Sequence, residues 1–66
     1  MSETLRKILA KLEASGSGSL GFSFEDGEWQ TSATWLDGDA YAEKQVAGWG
    51  EDALKEILEE MEKEGV

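Results

Sequence analysis

Residues 20–46 read LGFSFEDGEWQTSATWLDGDAYAEKQV, and this stretch decides the fold. Two Asp-Gly pairs, Asp26-Gly27 and Asp37-Gly38, punctuate three runs of alternating apolar and polar residues. Asp-Gly between such runs marks a two-residue type I′ hairpin, whose central residues both need positive φ. Placing both pairs at turns fixes two registers. Around the first, Phe24 faces Trp29, Phe22 faces Thr31 and Leu20 faces Ala33. Around the second, Trp35 faces Ala40, Ala33 faces Ala42, Thr31 faces Lys44 and Trp29 faces Val46. Strand side chains alternate with period two, so the two registers jointly place Leu20, Phe22, Phe24, Trp29, Thr31, Ala33, Trp35, Ala40, Ala42 and Val46 on one face. The other face collects Ser23, Glu25, Glu28, Gln30, Ser32, Thr34, Tyr41, Glu43 and Gln45. The prediction is an antiparallel meander with one face wet. Lys44 is the inward exception, expected to snorkel past Thr31 from an edge strand.

Helices flank this meander. Leu5, Ile8, Leu9 and Leu12 repeat at i, i+3, i+4 and i+7, one helical stripe within residues 2–15. Ser2 is the expected N-cap, Glu3 complements the helix dipole, and Gly16 suits a left-handed C′ position. The Ser/Gly run at 15–19 reads as a loop. A second stripe, Ala53, Leu54, Ile57, Leu58 and Met61, predicts a helix over 51–64 with Gly65 at C′. Because only one sheet face is apolar, both helices must cover it. The expected fold is a two-layer α+β domain of order α-β-β-β-α, a single domain over residues 1–66.

Composition narrows the chemistry. The 66 residues include no Cys, His, Pro or Asn, and 15 acidic against 6 basic side chains give a net charge of -9. Without Cys or His, disulfides, thiolate or imidazole catalysis and ordinary zinc sites are excluded. No apolar run approaches the ~20 residues that span a bilayer, and no signal-peptide pattern is visible. The expectation is a soluble, cytoplasmic monomer with no membrane association and no cofactor. Phosphate contacts need Lys or Arg, so no nucleic-acid partner is expected.

Three motifs reduce to plainer readings. Gly16, Gly18 and Gly21 match a dinucleotide fingerprint, but with the helix before them and the strand after, the reverse of the required order. They read as a connector. Asp37-Gly38-Asp39 lacks the spacing of a calcium loop, which would put Glu at position 12 where Gly48 stands. Glu25 and Glu28 lie beside a hairpin tip in water, without the cleft that raises a catalytic carboxyl's pKa. Among the aromatic residues, Phe22, Phe24, Trp29 and Trp35 are expected in the core. Trp49 is expected to plug the core's end, and Tyr41 to pack on Thr34.

The order α-β-β-β-α resembles the double-stranded RNA-binding domain, as topology over nearly the whole chain. That family grips phosphates with basic residues at the start of its last helix. Glu51-Asp52 stand there in this chain, with only Lys55 nearby, so the resemblance implies the fold and not RNA binding. The passage Gly48-Trp49-Gly50, two acids, then Ala53-Leu54 looks like small phage proteins. The stretch Leu54-Lys55-Glu56-Ile57-Leu58-Glu59-Glu60 and the paired Asp-Gly hairpins are similar to de novo designed miniproteins.

Two functional readings follow. The first is a stand-alone folded mini-domain, a designed scaffold with no catalytic activity and no required partner. It is supported by the absence of Pro and Cys and by the agreement of caps, turns and patterning. The second is a small acidic phage-type inhibitor that binds a host nucleic-acid-handling protein by charge mimicry. Its candidate protein-binding residues are Glu56, Glu60 and Glu64, an i, i+4 stripe on the last helix. An enzyme is not expected, for no nucleophile–base pair is visible.

Overall fold

The computed structural model describes residues 2–64. The element order is α1 (Glu3–Ser15), β1 (Gly18–Glu25), β2 (Glu28–Asp37), β3 (Ala40–Ala47) and α2 (Glu51–Lys63). The strands form one antiparallel sheet in the order β1-β2-β3. This is the expected α-β-β-β-α arrangement of an α+β fold, with the two helices packed against each other and the sheet.

The helix ends follow their cap chemistry. Ser2 Oγ accepts a hydrogen bond from the Leu5 backbone N–H at 3.0 Å, and Gly16 ends α1 in the left-handed region at φ 94°. The Gly65 cap lies outside the described residues. The Ser/Gly run is shorter as a loop than its composition suggests, because β1 already begins at Gly18. Ser15 Oγ donates to the carbonyls of Leu12 and Ser17, and the Leu36 N–H donates to Ser17 O at 2.9 Å. The connector is therefore held at both ends rather than free.

The first hairpin has its expected register. Phe24 pairs with Trp29, Phe22 with Thr31 and Leu20 with Ala33. Asp26 at φ 51° and Gly27 at φ 80° supply the two positive values a type I′ turn needs.

The second hairpin is displaced by two residues from the expected register. Asp37 pairs with Ala40, so the two-residue turn is Gly38-Asp39 and not Asp37-Gly38. Only Gly38, the first central residue, has positive φ (67°), which is the requirement of a type II′ turn. Gly-Asp serves that turn as well as Asp-Gly serves type I′. Trp35 then faces Ala42, Ala33 faces Lys44 and Thr31 faces Val46. Tyr41 sits opposite Leu36 instead of Thr34, and its hydroxyl lies 2.7 Å from Ser17 Oγ. A shift of two keeps every side chain on its assigned face, whereas a shift of one would exchange the faces.

The core lies between the helices and one end of the sheet. Ile8 from α1, Ala33 and Trp35 from β2, Val46 from β3, and Ala53, Leu54, Ile57 and Met61 from α2 are buried. Leu5, Leu12, Leu20, Ala42 and Leu58 pack against them. Thr31, a buried polar residue, sits at the margin, where its Oγ1 donates to the Gly48 carbonyl at 2.7 Å. Gly48 N–H in turn donates to Trp29 O at 2.7 Å, fixing the point where β3 gives way to the Gly48-Trp49-Gly50 link.

Phe22, Phe24, Trp29 and Trp49 are not in the core, contrary to the sequence expectation, and Ala40 is exposed at its turn. Element length explains this. At about 1.5 Å per residue a 13-residue helix extends ~20 Å, whereas ten residues of β2 at about 3.3 Å extend ~33 Å. The helices cover the sheet from Trp35 to Thr31 and stop. The Asp26-Gly27 end of the same apolar face projects beyond them.

Candidate functional site: an uncovered aromatic end of the sheet

Four aromatic side chains occupy this projecting end. Phe22 is 52% exposed, Phe24 59%, Trp29 47% and Trp49 65%. The first three stand on the helix-bearing face, because Phe22 and Phe24 are direct cross-strand partners of Thr31 and Trp29. Trp49 comes from the link into α2, swung toward them by Gly48 at φ 96°. Phe24 and Trp29 form a tilted pair, ring centroids 5.4 Å apart and planes at 59°. That geometry suits the opposed edge and face charges of aromatic rings. Phe22, Trp29 and Trp49 line one open hollow of about 330 Å³, its walls mostly apolar. A second hollow adjoins it, bounded by Glu28, Trp29, Ala47, Gly48 and Trp49.

The electrostatic setting is one-sided. The segments that carry the rings, residues 21–32 and 45–54, hold Glu25, Asp26, Glu28, Glu51 and Asp52 and no Lys or Arg. No basic side chain lines either hollow.

Glu51 ties this region to α1. Its carboxylate accepts a hydrogen bond from the buried Thr4 hydroxyl. That bond is the main cause holding the Glu51 carboxyl below the ordinary carboxylate range; Ser2 and Lys55 act in the same direction against desolvation. A depressed folded-state pKa contributes stability above the unfolded value, and that contribution is lost as pH falls through the folded value. Thr4→Val is therefore expected to melt below the parent at neutral pH. The gap should narrow as the solution is taken into the acid range where Glu51 protonates. Thermal melts of both proteins across that range check this, and a gap independent of pH would contradict it.

The three glutamates singled out in the sequence do not share one environment. Glu56 and Glu60 border a polar hollow with Glu59, Lys63 and Lys44, the last reaching from β3. Glu64 is exposed at the C-cap of α2. Lys44 thus escapes the inward face toward the acids of α2, two rungs from the expected position past Thr31. The stripe is interleaved with two cations rather than continuous.

Among the described residues, no group of three or more Asp and Glu could hold a metal ion. Among the same residues, no helix is long and apolar enough to cross a membrane. Comparison with protein-family models, with curated proteins and with solved structures finds no match.

The aromatic cluster was present in the sequence as candidate core. The signal that reassigns it is arithmetic on element lengths: a ten-residue central strand cannot be covered along its length by helices of 13 residues.

Proposed function

We propose that this protein is a non-catalytic binding domain that holds a cationic peptide segment against the aromatic end of its sheet. The observation that carries the reading is the set Phe22, Phe24, Trp29 and Trp49, left in water on an otherwise well-covered face. Contiguous exposed apolar surface with a polar rim marks interaction sites, and Trp is the residue most enriched at their energetic centres. A scaffold whose only role is to fold has no use for four large aromatic side chains in solvent. Glu28 borders the adjoining hollow, and the segments that carry the rings hold five acids and no Lys or Arg, a balance that favours a basic partner and disfavours nucleic acid, whose stacking platforms sit in cationic grooves. The mimic reading built on Glu56, Glu60 and Glu64 also implies a basic partner, but it uses a stripe in which Lys44 and Lys63 intervene.

The test is a calorimetric titration with a lysine-rich peptide and with its glutamate counterpart, at low and high salt. The parent should bind the basic peptide in a salt-sensitive manner and ignore the acidic one. The double variant Phe22→Ala, Trp49→Ala should melt like the parent and lose the binding. Equal binding of both peptides, or undiminished binding by a folded double variant, would overturn the proposal.

A further inference from the structure

We infer that the hollow walled by Phe22, Trp29 and Trp49 is a cage for a quaternary ammonium group carried on a peptide side chain, such as trimethyllysine. The inference rests on the binding role proposed above and names the group that the site selects. Three rings from three different places in the chain, β1, β2 and the β3–α2 link, converge on one hollow of about 330 Å³. Ring faces carry negative quadrupole charge, and several of them around one cation form the recognised arrangement for such ligands.

The lining chemistry separates the candidate cations. An ammonium ion brings N–H donors that must either keep their water or find acceptors. The walls of this hollow are mostly carbon, so on the side that meets the rings a lysine ammonium gives up water and gains no acceptor. A trimethylated nitrogen has no N–H to satisfy, buries methyl groups against the rings, and keeps its charge. Glu28 borders the adjoining hollow and no basic residue lines either one, which favours that charge over a neutral ligand. Phe24 packs against Trp29 and helps hold the central wall in place. The peptide, rather than a free ammonium compound, is the expected carrier because Phe22 lies on β1, an edge strand of the sheet, and sheet edges accept added extended segments.

Four probes decide the matter: one short basic peptide bearing in turn lysine, trimethyllysine and the neutral carbon isostere of trimethyllysine, and free tetramethylammonium. The trimethyllysine peptide should bind about tenfold more tightly than the lysine peptide. It should also exceed the isostere and the free ion. Trp49→Ala should abolish the preference while leaving the melting temperature unchanged. If lysine and trimethyllysine peptides bind equally, the cage is wrong and the cationic-peptide reading stands. If the isostere matches trimethyllysine, the site is merely apolar and the cage is wrong. If free tetramethylammonium binds as tightly as the peptide, the carrier is wrong. If no peptide binds, both readings fail.

Discussion

Trp35→Ala is expected to leave most of the chain unfolded at physiological temperature. Trp35 is the largest fully buried side chain, inward-facing on the central strand and set opposite Gly18 on one side and Ala42 on the other. Small partners on both flanks mean that no neighbour can move in to fill its place. Truncating a buried Trp costs about 3–5 kcal/mol. A domain of this size has roughly 3–10 kcal/mol in total, at about 0.05–0.15 kcal/mol per residue. Trp29→Ala, by contrast, removes a half-exposed ring and should lower stability only slightly. Trp35→Phe should fall between them. It leaves a smaller void than alanine does. Urea unfolding of the three variants checks the order, and equal losses for Trp35→Ala and Trp29→Ala would contradict the placement of the core.

The second large effect is expected at Gly18. A Cβ added there would lie 2.4 Å from the Thr34 carbonyl oxygen, 2.8 Å from Leu12 Cδ2 and 3.1 Å from Trp35 Cα. Two of the three are backbone atoms of the paired strand, which cannot swing away as a side chain tip can. Gly18→Ala must therefore shift β1 from β2 or lift α1 at Leu12, and overpacking of this kind costs about 1–3 kcal/mol. Gly21, three residues along the same strand, has open space where its Cβ would be. Gly21→Ala should be neutral or mildly stabilising, because glycine weakens a strand interior. Similar melts for the two alanine variants would contradict the close approach of α1 and β2 over Gly18.

Much of this fold was legible in the chain, and the errors have physical causes. The helix stripes and the Ser2 and Gly16 caps are local signals, set by spacing and by single residues, and they hold. Asp26-Gly27 fixes its hairpin because both residues take positive φ there. The Asp37-Gly38-Asp39 triplet contains two legitimate turns offset by one position. Moving the turn by one residue moves the register by two, which periodicity cannot detect because it leaves the faces unchanged. The wrong choice shows in the cross-strand neighbours: Trp29 loses Val46 and stands beside the Gly48 link, Lys44 faces Ala33, and Tyr41 faces Leu36. The aromatic end was misread for a different reason. Alternation says which face a residue occupies, but whether anything lies above it depends on how far the helices reach.

The three indole N–H signals in a proton–nitrogen correlation spectrum report separately on the core and on the aromatic end, since each Trp occupies a different place. Trp35 should be strongly protected from hydrogen exchange, while Trp29 and Trp49 exchange rapidly. On titration with the lysine-rich peptide, the Trp29 and Trp49 signals should move together along one saturable curve, and Trp35 should stay in place. Protection of Trp29 and Trp49 in the free protein, or a peptide that moves neither of them, would contradict the account of an open aromatic end that binds.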